Sequence, residues 1–362
     1  MGKQYTCHGR CCTAHEAIFD AHAGNVLSHG TALAVLDAGA RTRARDISPR
    51  LILNKLIVLA LLCTAGIAGA APYAYVPNEK SGTVSVIDTA TDKVLRDIPA
   101  GKRPRGIAVG LRGAQLFVTD ASANVLLTVA TADGKLRTTP LGKSPEGVYI
   151  SADGRLLAVA VEESNSVTLV DAASGAVLAD IKVQGKNPEH AVFSPDGKWL
   201  LVSAEEAEQV DVIDVAARRQ VGSIAVGLRP RGIGFTPDSA RAYIACELVN
   251  TVYAIDLASR KVIATIPAGK NANGIAVTPD GKQVWVSNGI DGTVMRIDTT
   301  KNVVTATVPV GKRPWNMAIT PDGNKLYVAN GRSNSVSVID TAAARKLADI
   351  PVGELPWGVV ID

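Results

Sequence analysis

The chain has 362 residues, of which 47% are apolar and 20% charged, and its formal net charge is +4. That balance fits a globular protein and excludes a disordered one. So small a charge, with no basic block interleaved with aromatics, also argues against nucleic acid as a partner.

Residues 1–49 hold Cys7, Cys11, Cys12 and four of the five histidines. They contain no CxxC pair, and the histidine spacing matches no common ligand set, so a metal site is not read there. From Arg50 the chain reads "RLILNKLIVLALLCTAGIAGAAP". A basic start, an apolar run and a small-residue end are the layout of a secretory signal peptide, with Ala68-Gly69-Ala70 as the cleavage site. The apolar run is short beside the ~20 residues of a membrane span. Because a signal peptide works near the start of a nascent chain, residues 1–49 read as a non-native or mis-started extension. Residues 50–70 are then the signal, and residues 71–362 the working protein, periplasmic or secreted and without a membrane span. Before Ala71 lie 7 of the 38 Lys and Arg and 4 of the 34 Asp and Glu, leaving 31 against 30. One cysteine, Cys246, and one histidine, His190, remain, so no internal disulfide can form.

The working region repeats itself. Aligned on the phrase "VID" and its variants "LVD", "AID" and "RID", the copies end at Asp88, Asp171, Asp214, Asp256, Asp298 and Asp340, with Ala130 in a degenerate copy. A second ladder, Pro104, Pro145, Pro188, Pro230, Ala272, Pro314 and Pro356, keeps the same phase. Within the unit beginning near Asn273, "GIAV" predicts strand one and "TPDG" a turn. "KQVWVSN" predicts strand two, "GTVMRID" strand three and "KNVVTATVPVG" strand four. Four strands in a repeat of about 42 residues predict an all-β, seven-bladed β-propeller of four-stranded antiparallel blades. The first copy lacks strand one, and "PWGVVID" at the end is a strand one lacking the rest. Pairing of the N- and C-terminal strands is therefore expected to close the ring and remove its open edges.

"YVPN", "YVAN" and "WVSN", followed by "VSVIDT" and a proline-rich turn, resemble the YVTN family of propeller repeats across residues 72–362. The first unit and the ending "PWGVVI" are more particularly similar to periplasmic propellers associated with alcohol catabolism dependent on pyrroloquinoline quinone (PQQ). The resemblance implies a seven-bladed propeller outside the cytoplasm, in a family with few assigned activities.

Strand one lies nearest the central channel, so the residue after each ladder proline is expected at a channel mouth. Those residues are Arg105, Glu146, Glu189, Arg231, Asn273, Trp315 and Trp357. The next position is glycine except at His190 and Asn316, which suits a place where backbones crowd. These residues predict a ligand site in which tryptophan stacks on a flat anion, such as PQQ, and Arg105 or Arg231 holds its carboxylate. Glu79, Glu162, Glu205 and Glu247 follow strand two in four units and define an alternative Ca²⁺ site. The leading expectation is a non-catalytic binding or scaffold protein without a cofactor, acting in PQQ-dependent alcohol oxidation or an associated transport system. Its partner, protein or small molecule, is unidentified. The alternative is an enzyme, either a subunit of a quinoprotein dehydrogenase or a lactonase-like hydrolase using His190, Glu189 and Arg231. Mass spectrometry of the exported form should find Ala71 at the N-terminus. Any peptide from residues 1–49 would contradict this reading.

Overall fold

The computed structural model describes residues 72–110 and 113–362. The proposed extension, signal segment and cleavage site lie outside the described residues. Twenty-eight strands form seven four-stranded antiparallel sheets. Blade 2 runs from Pro104 to Pro140, blade 3 from Pro145 to Lys182 and blade 4 from Pro188 to Ala225. Blade 5 spans Pro230–Pro267, blade 6 Ala272–Pro309 and blade 7 Pro314–Pro351, each written from its first strand to its last. Blade 1 is composite. Its strands β1 (Tyr73–Asn78), β2 (Thr83–Asp88) and β3 (Lys93–Pro99) are joined on the inside by β28 (Val360–Ile361). The molecule is therefore a seven-bladed β-propeller, as the repeat predicts.

The repeated words have physical causes. The "VID" aspartate closes the hairpin between strands three and four: Asp298 Oδ1 accepts the Thr300 and Lys301 N–H groups at 2.8 and 3.0 Å, and Asp88 and Asp256 do likewise. In "TPDG", Thr278 Oγ1 bonds Asp280 at 2.6 Å and accepts the Gln283 N–H, while Gly281 takes a left-handed φ of 70°. Such short polar side chains replace missing backbone partners in tight turns.

Strand two is buried on both faces, as in Leu326–Asn330, because neighbouring blades pack on either side. The core is consequently divided into seven clusters, one at each junction of blades. At the seam, Ala74, Val76 and Ile87 of blade 1 pack with Tyr327, Val336 and Val338 of blade 7 and with Val359. The ring closes where Ala74 pairs with Ile361 and Tyr75 with Val360, and the Trp357 N–H donates to the Pro77 carbonyl at 2.9 Å.

Deleting residues 355–362 exposes the inner edge of β1 and strips Val359 from the seam. The truncation should lose at least about 3 kcal/mol of stability, since each large buried side chain removed costs a few kcal/mol, and should self-associate. Denaturant unfolding with light scattering checks this, and an unchanged midpoint would refute the closure.

Candidate functional site

Each blade enters its first strand through a buried ladder residue. In most copies the residue before it adopts a left-handed conformation: Ser144, Asn187, Arg229, Asn271, Arg313 and Leu355 have φ between 55 and 60°. Past that turn, neighbouring first strands crowd together. A Cβ at Gly106, Gly147, Gly232 or Gly274 would run into the carbonyl oxygen of the adjacent blade, at Glu146, Glu189, Asn273 and Trp315 respectively. A hydroxyl on strand two bridges this gap in two blades. Thr119 Oγ1 accepts the Gly106 N–H at 2.8 Å and donates to the Glu146 carbonyl at 2.6 Å, and Ser287 repeats the bridge between Gly274 and Trp315. In blade 4, His190 replaces the glycine, and the buried Ser203 Oγ opposite it has no partner.

The side chains after the ladder residues converge on one polar cavity of about 450 Å³ at the channel mouth. Arg105, Glu189, Arg231, Asn273, Trp315, Asn316 and Trp357 line it. Glu146 and His190 do not; both are buried behind the surface, at 1% and 0% exposure. The strand-two glutamates Glu79, Glu162 and Glu205 line it too, while Glu247 is buried behind.

The sequence predicts that Arg105 or Arg231 holds a ligand carboxylate. In the structure both are ion-paired within the protein. Arg105 pairs with Glu79 at 3.3 Å and with Glu146, and Arg231 pairs with both Glu189 and Glu205. Carboxylates of the protein itself already pair with both guanidinium groups, although the buried Arg231 Nε has no hydrogen-bond partner. Three of the four glutamates of the alternative calcium site are likewise paired with arginine. Glu79 pairs with Arg103 at 2.7 Å, Glu205 with Arg229 at 2.9 Å, and Glu247 with Arg229 at 3.1 Å and Arg313 at 2.9 Å. Among the described residues no three His, Cys, Asp or Glu side chains converge as a metal site.

Arg103, Arg229 and Arg313, each just before a ladder proline, were missed. Their signal was present in "GKRPRG", "GLRPRG" and "GKRPWN". Gly289, standing where other blades carry glutamate, lies against the Arg313 guanidinium and leaves it room to reach Glu247 two blades away.

Burial sets the titration of this network. It raises the Glu189 carboxyl to about 7, against the opposing pull of Arg231 and with the help of Glu146. It raises Glu146 too, although Arg105 opposes it. Glu247 ends below the ordinary carboxylate range, because Arg231, Asn271, Arg229 and Arg313 outweigh its burial. Burial, then Arg231, lowers His190 to about 3, so its ring is neutral. His190 Nδ1 meets the Tyr149 hydroxyl at 2.8 Å, and Nε2 has no partner.

The His190 ring also lies 5.7 Å from that of Trp357. These residues belong to blades 4 and 1, as widely separated as seven blades permit, so the Trp357 side chain spans the channel. It floors the polar mouth. Beneath it lies a mostly apolar cavity of about 310 Å³ walled by first-strand residues such as Ile107, Ile233 and Met317.

Fold and site together define a seven-bladed propeller with a charged, tryptophan-floored channel mouth. Residues 216–350, less than half of the chain, match the family model "Lactonase, 7-bladed beta-propeller". Comparison with curated protein sequences gives no match. Among solved structures, the chain is similar to Kuenenia stuttgartiensis hydrazine synthase at 25% identity and a TM-score of 0.68, over 74% of this chain and 92% of that one. A functionally unknown protein from Desulfotomaculum acetoxidans DSM 771 superposes with a TM-score of 0.71 at 16% identity, over 80% and 98% of the two chains. The latter likeness speaks to fold alone.

A carboxyl that holds its proton more tightly when folded makes stability fall as pH rises, here from about 4.5 to about 7 for Glu189. His190 acts oppositely, adding stability as pH rises from about 3 to about 6.5. Relative to the parent protein, Glu189→Gln should therefore be more stable at pH 8 than at pH 5, by about 1–3 kcal/mol. Denaturant melts at the two pH values test this, and a constant difference would refute the assignment.

Proposed function

We propose that this protein is an exported propeller that binds a small ligand at its channel mouth without transforming it. The observation that carries the reading is the state of His190. The one histidine of the working region is fully buried, neutral, bonded by Tyr149 and roofed by Trp357. A general base must reach the proton it removes, directly or through one water. The paired arginines point the same way, since carboxylates of the protein already offset the charge that Arg105 and Arg231 could offer a developing oxyanion. Export is supported by the signal-like segment. A role in PQQ-dependent alcohol oxidation or an associated transport system is supported by the wording of the repeats.

A second reading, a lactonase-like hydrolase, is favoured by two specific observations. Residues 216–350 match a lactonase family model, and Glu189 lines the mouth with a carboxyl that titrates near neutrality beside Arg231. A perturbed carboxyl in a cleft is a candidate general base. Hydrolysis of five- and six-membered lactones, followed with a pH indicator with and without Ca²⁺, separates the two. The expected result is no turnover above spontaneous hydrolysis. Turnover that falls at least tenfold in Glu189→Gln or His190→Ala would replace the binding reading with the hydrolase.

A further inference from the structure

The mouth and the groups just behind it hold more carboxyl than guanidinium groups. Glu79, Glu146, Glu162, Glu163, Glu189, Glu205 and Glu247 face Arg103, Arg105, Arg229, Arg231 and Arg313. The excess is localised. Among the described residues, Glu162 and Glu163, on the 3-10 turn after strand two of blade 3, make no ion pair, whereas the other five glutamates each pair with arginine. Glu162 has as its hydrogen-bond partner the Ser144 hydroxyl at 2.8 Å, which also contacts Glu146 at 3.1 Å. One hydroxyl hydrogen cannot satisfy both carboxylates.

A second, independent feature points to a ligand. Asn273 is 2% exposed and lines the same cavity, yet its Nδ2 has no hydrogen-bond partner. Leaving a buried amide unpaired is costly, and a polar group in the mouth would offset that cost. Trp315, half-buried and seated against Gly331, adds an aromatic surface to the same wall. Aromatic faces attract cations as well as apolar bodies.

We propose that the mouth is a site for a small organic ammonium ion, held by the Glu162 carboxylate, with Trp315 against its apolar body and the Asn273 amide on a neutral hydrogen-bonding group. The inference rests on the binding reading above and names its ligand class. It reverses the expectation of an anionic ligand, because each mouth arginine is already ion-paired with a protein carboxylate, whereas among the described residues Glu162 and Glu163 are not. A cavity of about 450 Å³ accommodates a ligand of this size.

Three isosteric probes of different charge test it by titration calorimetry at pH 8: tyramine, 2-(4-hydroxyphenyl)ethanol and 3-(4-hydroxyphenyl)propionate. Tyramine should bind at millimolar concentration or better, and the alcohol and the carboxylate at least tenfold more weakly. Glu162→Gln, checked for an unchanged melting temperature, should weaken tyramine about tenfold, as expected for loss of a charge-assisted bond. Trp315→Leu should weaken it about two- to fivefold. Preferential binding of the propionate would overturn the ammonium assignment and leave the mouth as a binding site. Tyramine binding that neither substitution alters would place the site elsewhere. Failure of all three probes would overturn the proposal, while the lactone assay independently decides between binding and hydrolysis.

Discussion

The structure depends on a short piece of backbone pairing. Two residues of the last strand, Val360 and Ile361, pair with Tyr75 and Ala74, and the Trp357 N–H reaches the Pro77 carbonyl. Each blade exposes apolar side chains on both faces of its second strand, so none can stand alone, and every one of the seven cores lies between two blades. Such a stack is stable only without ends. Closure turns six internal junctions into seven, and the seam is reinforced where Lys325 bonds Asp92 at 2.8 Å across blades 7 and 1.

The same crowding that stabilises the ring builds the site. First strands approach so closely that glycine is required where one backbone passes the neighbour's carbonyl. Most side chains immediately before that position line the mouth, while Glu146 is buried behind it. Arginine and glutamate from different blades then meet at short range with little solvent, where each charge needs a partner. The pairing engages the guanidinium groups and leaves the unmatched charge on blade 3. Electrostatic character at the mouth is thus a residue of bookkeeping among blades rather than of any single motif.

Much of the fold was legible in the sequence because a repeat states one local solution many times. The "VID" aspartate, the "TPDG" turn and the glycine after the ladder residue each answer a local need, and each was visible as a recurring word. The incomplete first copy and the orphan final strand announced the closure. The mouth was legible only in part. Ring order placed Arg105, Glu189, Arg231 and the tryptophans on one face, but not their distances. Whether Arg231 is free or paired depends on side chains 26 and 42 positions away in the chain. The contact between Trp357 and His190 depends on channel width, which no local pattern encodes. Tyr149, the partner of His190, was hidden as an ordinary strand residue, although other first strands carry smaller side chains there, such as Ala108, Gly234 and Ala276.

Trp357 belongs to the closing segment, three residues before the final strand, and its ring is also the floor of the mouth. The clasp of the ring and the base of the binding chamber are therefore one stretch of chain. A ligand bound on that floor as proposed would favour the closed clasp, and fraying of the clasp would remove the floor. Under the proposed binding, occupancy and structural integrity are thermodynamically linked, so a well-filled mouth would stabilise the whole ring.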